Sequence, residues 1–131
     1  MLGKTHHIAI ICSDYRRSRE FYVDKLGFMV LREVWREERQ DWLAMLQQGE
    51  VVLELFARPT APQRPTQPEA LGLRHLAFQV EDAAKAAAWL RSRGIETEPI
   101  RYDPINGGSM TFFHDPDGLP LELHEENNPN P

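Results

Sequence analysis

Arg74-His75-Leu76-Ala77-Phe78-Gln79-Val80 reads as a second copy of His6-His7-Ile8-Ala9-Ile10-Ile11-Cys12, which stands near the start of the chain. Both copies alternate larger apolar residues with smaller or polar ones, as a half-buried strand does. Each histidine is followed, 47 residues on, by a glutamate inside a Leu-Glu-Leu strand: His7 by Glu54, and His75 by Glu122. A repeat at fixed spacing implies two copies of one structural unit.

Half-domains of about sixty residues bury too little surface to be trusted alone. The 131 residues are therefore expected to form a single domain over 1–131. It divides into module one at about 4–57, a connector at 58–71, module two at about 72–125 and a tail at 126–131. A net charge of −5 argues against a nucleic-acid or anionic-membrane partner, because phosphate binding draws on clustered Lys and Arg. The N-terminal residues carry no basic segment followed by an apolar run, and no run approaches the ~20 apolar residues that span a bilayer. A cytoplasmic protein is the expectation. The single Cys12 excludes an internal disulfide and a cysteine-based metal cluster, and is expected to pack as a small buried hydrophobe.

Taken in order, His6 to Cys12 predicts a strand. Ser13 or Asp14 caps a helix through Leu26 that ends at Gly27. Phe28 to Trp35, Asp41 to Leu46 and Val51 to Phe56 predict three further strands, so module one is β-α-β-β-β. Arg58 to Leu71 holds Pro59, Pro62, Pro65 and Pro68 and resists both helix and sheet. Module two repeats the pattern: a strand over Arg74 to Val80, then a helix over Ala83 to Arg93 capped by Asp82, with Trp89 and Leu90 as packing anchors. Strands follow over Ile95 to Tyr102, Ser109 to His114 and Leu119 to His124. Aligning His7 with His75 pairs Asp14 with Asp82, but the offset slips by one residue at Gly27 and Gly94. The fold class is α+β, with paired βαβββ modules forming one curved mixed sheet around a cleft.

A carboxylate is a poor resident of an apolar strand, so Glu54 and Glu122 need a cation or hydrogen-bond donors. Alternation puts the large aliphatic residues of these strands on one face, Leu53, Leu55, Leu121 and Leu123 among them. His7, Glu54, His75 and Glu122 fall on the other. Any one of the four alone is an ordinary strand residue; the equal spacing lifts them together. Two imidazoles and two carboxylates suit a borderline divalent ion such as Zn, Ni, Co, Mn or Fe(II).

These modules, with His6-His7-Ile8-Ala9-Ile10, Tyr22-x3-Leu26-Gly27-Phe28, Arg74-His75-Leu76-Ala77-Phe78 and Phe113-x-Asp115-Pro116-Asp117-Gly118-x2-Leu121-Glu122, resemble the vicinal oxygen chelate superfamily, and glyoxalase I in particular. The resemblance spans about Lys4 to Glu125. It implies that His7, Glu54, His75 and Glu122 ligate one divalent metal, Ni or Zn first, and that His6 faces away as a supporting or surface residue. Fosfomycin-modifying and ring-cleaving relatives use two His and one Glu, and methylmalonyl-CoA epimerases place Gln at the position of Glu54. Glu at both positions looks most like glyoxalase I.

That likeness implies a lyase or isomerase working through an ene-diolate on a small oxygenated substrate, with Glu122 as principal base and Glu54 as ligand or partner base. A homodimer is also implied. Where glyoxalase I carries an Arg and an Asn that contact glutathione, this chain has Ile11 and Arg58, which sets the glutathione link apart from the metal. The competing classes are a metal-dependent epimerase and a non-catalytic protein that sequesters small molecules. Trp35, Trp42, Phe56, Met110 and Phe112 are candidate pocket residues.

Overall fold

The computed structural model describes residues 1–126. Of the tail expected at 126–131, residues 127–131 lie outside the described residues. The chain divides into two compact units, Met1–Gln63 and one beginning at Arg64. The expected paired βαβββ modules are present. The first unit runs β1 (Ile8–Cys12), α1 (Tyr15–Arg19) continuing as a π-helical stretch over Glu20–Lys25, β2 (Met29–Arg36), β3 (Asp41–Gln48) and β4 (Val51–Ala57). The second runs β5 (Leu76–Val80), α2 (Ala83–Ser92), β6 (Arg101–Tyr102), β7 (Ser109–His114) and β8 (Pro120–Glu125).

Each unit carries its own four-stranded mixed sheet, ordered β1-β4-β3-β2 and β5-β8-β7-β6. The first and last strands of a module lie side by side and parallel, and the remaining pairs are antiparallel. The register is the same in both: Ala9 stands opposite Glu54, and Ala77 opposite Glu122. The 47-residue interval in the sequence is this shared parallel register.

The helices begin alike. The Arg17 N–H donates to Asp14 Oδ1 at 3.1 Å, and the Lys85 N–H to Asp82 Oδ1 at 3.0 Å, so each aspartate satisfies a backbone donor that the first turn leaves free. They end alike at Gly27 and Gly94, whose φ of 85° and 79° is the left-handed conformation that closes a helix. Between these points the first helix holds one more residue than the second. The extra residue is absorbed as π-helix, with the Leu26 N–H donating to the Phe21 carbonyl at 3.0 Å. The slipped offset in the repeat is thus a local widening of one helix, which still buries Phe21 and Tyr22.

Beneath each helix lies an apolar sheet face. Ile10, Cys12, Ala44, Leu46, Leu53 and Leu55 are buried in the first unit, and Ala83, Ala87, Leu90, Phe113, Leu121 and Leu123 in the second. Trp89 departs from its expected role as an anchor. The buried stripe of α2 is Ala83, Ala87 and Leu90, at helical spacing; Trp89 falls outside it, is 43% exposed, and carries the Arg93 guanidinium over its ring at 4.6 Å. The strand expected over Ile95 to Tyr102 is reduced to Arg101–Tyr102. Pro99 has no N–H to give a ladder, so the preceding segment is held by single contacts: the Glu98 N–H to the Phe112 carbonyl at 2.9 Å, and the Thr111 hydroxyl to the Glu98 carbonyl at 2.5 Å. Among the described residues no helix is long and apolar enough to cross a membrane.

Candidate metal centre

His7 and His75 stand just before β1 and β5, one residue earlier than the strands begin. Their partners lie inside the adjacent parallel strands β4 and β8, on the face opposite the buried leucines. His7 Nε2 lies 3.8 Å from Glu54 Oε1, and His75 Nε2 lies 3.5 Å from Glu122 Oε1. The four expected ligands are therefore brought together as two pairs, one in each unit. Among the described residues no cluster of three or more metal-binding side chains forms.

Both separations are long for a hydrogen bond. Two donors that share one cation at bond lengths of about 2.0–2.2 Å stand ~3–3.5 Å apart, so the His75 pair lies at the upper end of that range and the His7 pair just outside it. An imidazole nitrogen facing a carboxylate oxygen is a donor set that zinc and nickel accept. The residues present fit a divalent cation.

The pairs differ in how their rings are held. His75 packs edge-on against Phe112, with ring centroids 5.2 Å apart and planes at 89°. His7 instead meets His6: their Nδ1 atoms are 2.7 Å apart, so one carries a proton that the other accepts. His6 is exposed, as expected, but its ring turns to its neighbour rather than away from it. The carboxylates differ too. The Glu122 side chain is 9% exposed and that of Glu54 19%.

In the second unit His75 and Glu122 open onto a cavity of about 540 Å³, whose wall includes Met110, Phe112, Arg101 and His124. Met110 and Phe112 thus take the pocket positions expected of them. Trp35 and Trp42 do not accompany the candidate ligands. They line a separate pocket of about 400 Å³ in the first unit with Tyr15, which stacks on Trp42 at 5.3 Å.

Two ionic groups flank the glutamates. In the second unit His124, two residues beyond Glu122, contacts Asp103 Oδ2 through Nε2 at 3.1 Å and the Glu125 carbonyl through Nδ1 at 2.6 Å. The hydrogen bond to Asp103 raises the His124 pKa against the opposing effect of burial. In the first unit Asp41 accepts from Arg36 and Arg58 beside Phe56. The sequence holds no signal for this second group, because it depends on how β2 registers on β3 across the Glu37-to-Gln40 turn.

Residues 4–123 match the sequence model of the Glyoxalase/Bleomycin resistance protein/Dioxygenase superfamily. The chain is 57% identical over 127 residues to the uncharacterized protein YwkD of Bacillus subtilis (strain 168), covering 96% of this chain and 99% of that one. It is 31% identical over 126 residues to the lactoylglutathione lyase of Escherichia coli O157:H7, covering 92% and 90% of the two. The crystal structure of a glyoxalase family protein from Enterococcus faecalis superposes with a TM-score of 0.88 at 55% identity, over 93% of this chain and 97% of that one.

Proposed function

Since the chain belongs to the Glyoxalase/Bleomycin resistance protein/Dioxygenase superfamily, we propose that it is a divalent-metal-dependent lyase or isomerase of the glyoxalase I kind, acting on a small oxygenated substrate. His7, Glu54, His75 and Glu122 would hold the ion, nickel or zinc in the first instance. One observation carries this reading: the same His–Glu pair recurs in both modules at one spacing and one strand register, with the imidazole and carboxylate turned toward each other.

A bound divalent cation supplies Lewis-acid stabilisation of negative charge on substrate oxygens. The rest falls to the chain's own side chains. Glu122 takes and returns the proton: it is the better shielded carboxylate, and a base screened from water gives its proton back to the substrate rather than to solvent. Glu54, the more exposed of the two, serves as ligand and as partner base. Phe112 keeps the His75 ring upright through its edge-on contact and presents an apolar wall of the cavity, with Met110 beside it.

The functional unit on this reading is a single 1–131 domain acting as a cytoplasmic homodimer, with a small molecule as its partner. Light scattering tests the assembly, and a monomer at micromolar concentration refutes it. For the chemistry, nickel- and zinc-loaded protein is assayed against the hemithioacetal of glutathione and methylglyoxal and against acyl-CoA epimers. Turnover of the hemithioacetal is the expected result. Activity on the epimers alone moves the protein to the epimerase class, and silence on all of them with tight ligand binding moves it to the sequestering class.

A further inference from the structure

The two modules build one corner, where the start of the helix meets the end of the last strand, from different residues. Their shared register sets the equivalences: Cys12 pairs with Ala57 as Val80 pairs with Glu125, and Trp35 with Trp42 as Tyr102 with Ser109. Tyr15 follows the capping Asp14 as Ala83 follows Asp82. In module two the corner is small and filled. The Glu125 carboxylate reaches into it and accepts from the Ala83 N–H at 2.9 Å and the Ser109 N–H at 3.3 Å.

Module one has Ala57 in the place of Glu125, and aromatic rings in place of Ala83 and Ser109. Tyr15 stacks on Trp42 with planes at 12° and ring centres 5.3 Å apart, and Trp35 meets Trp42 at 61° and 5.5 Å. The space left without a carboxylate is a pocket of about 400 Å³, whose wall also includes Ala57 and Pro59. That volume is within the range of small-ligand sites. The pocket lies across the sheet from the candidate metal centre. Trp42 shares its side of β3 with the buried Ala44 and Leu46, whereas Met45, the partner of Glu54, points to the other side.

The polar atoms of the rings are already engaged. The Tyr15 hydroxyl donates to Glu33, and Trp35 Nε1 to Glu37 Oε2 at 2.7 Å. What stays open is apolar ring surface, since Trp35 and Trp42 are 40% and 38% exposed. Of the charges along the wall, Asp14 caps the helix, Asp41 is held by Arg36 and Arg58, and Arg16 stands exposed to solvent. Stacking is therefore the recognition that the pocket has to give. Asp14, Arg16 and the run from Glu37 to Gln40 are exposed and polar, so the opening suits a small molecule better than the ~800 Å² face of a protein partner.

We propose that Tyr15, Trp35 and Trp42 form a second binding site, on the helix-covered side of the first sheet, for a flat, uncharged aromatic ring system held by stacking. The site is independent of the metal reading.

The protein contains three tryptophans, so an indole N–H spectrum of the full chain follows each of them. The probes are 2-naphthol and decahydro-2-naphthol, which has similar apolar bulk and no π face. The expected result is that 2-naphthol shifts the Trp35 and Trp42 signals, leaves Trp89 in place and binds about fivefold to tenfold tighter than the saturated analogue. Trp35→Leu removes one wall at an exposed position and should weaken binding at least ~5-fold. Ala57→Glu restores the carboxylate of module two and should close the pocket with every ring retained; if that variant fails to fold, Trp35→Leu decides alone. No saturable shift, equal affinity for the saturated analogue, or affinity unmoved by these substitutions overturns the site. So does movement of Trp89 alongside the other two, which marks indiscriminate contact with exposed indoles. Shifts gathered around His75 and Phe112 instead place the probe in the cavity of the second unit and overturn it as well.

Discussion

His75 Nε2 stands 3.5 Å from Glu122 Oε1, and the parallel register that sets this pair, with Ala77 opposite Glu122, is repeated for His7 and Glu54. The histidine enters at the mouth of one strand and the glutamate rises from the middle of its neighbour. Neither apolar core depends on either side chain, since the leucines that flank each glutamate point to the other face.

This separation of site from core gives the first prediction. His75→Ala should lose metal before it loses fold: metal affinity falls at least ~100-fold, while the thermal midpoint moves by no more than a few degrees. Metal analysis and a melting curve on the same preparation check it. Collapse of the fold in the metal-free variant would assign His75 a structural role instead.

Glu122→Gln keeps the size of the side chain and removes its ability to take a proton. It is expected to retain metal and lose turnover by ~10²–10⁴-fold. Glu54→Gln, at the more exposed position, should cost less turnover. Unchanged turnover in Glu122→Gln with metal retained would remove Glu122 from the role of base.

The Nδ1–Nδ1 contact between His6 and His7 carries a prediction for a residue outside the ligand set. A histidine that offers Nε2 to a cation keeps its proton on Nδ1, and His6 Nδ1 is placed to accept it. His6→Ala should weaken metal binding by ~10-fold, and His6→Asn, which retains an acceptor, should recover part of that. Module two has Arg74 at the equivalent place, which cannot accept, and orients His75 by Phe112 instead. Arg74→Ala is therefore expected to leave metal affinity within about twofold of the unmodified protein.

A stability prediction concerns the tie between the first helix and β2. Glu33 accepts from the Tyr15 hydroxyl and from Arg19 Nε, the latter at 2.6 Å. These two hydrogen bonds, Tyr15 first, hold the Glu33 carboxyl below its ordinary 4.5. A depressed carboxyl contributes stability that is present above its unfolded value and is lost as pH falls through its folded one. Glu33→Gln should therefore flatten the acid limb of the stability curve from about pH 4.5 downward, by about 1 kcal/mol or less given the partial exposure of the pair. Chemical denaturation at a series of pH values measures it. An acid limb of unchanged slope would show that the tie contributes nothing.

The helix caps, the paired modules and the two His–Glu pairs were legible in the sequence because each is encoded locally or by the repeat. Asp14 and Asp82 announce helix starts, and Gly27 and Gly94 announce ends. The slipped offset between them carried the π-helical stretch, though only as a one-residue discrepancy. What the sequence hid depends on register or on competition. Pro99 outweighed the apolar run around it and cut a strand to two residues. Trp89 looked like an anchor by size, yet its angular place on α2 put it outside the Ala83-Ala87-Leu90 stripe. Arg36, Asp41 and Arg58 gave no local sign of meeting, since β2 must pair with β3 before Arg36 faces Asp41, and the end of β4 must then deliver Arg58.

The most direct test of the account is metal stoichiometry in the purified chain after reconstitution with nickel or zinc, measured beside the four single variants His7→Ala, Glu54→Gln, His75→Ala and Glu122→Gln. One ion per chain is expected on the proposed reading, with affinity lowered by substitution in either module. No stoichiometric divalent metal after reconstitution, or an ion whose binding ignores the substitutions in one module, would contradict it.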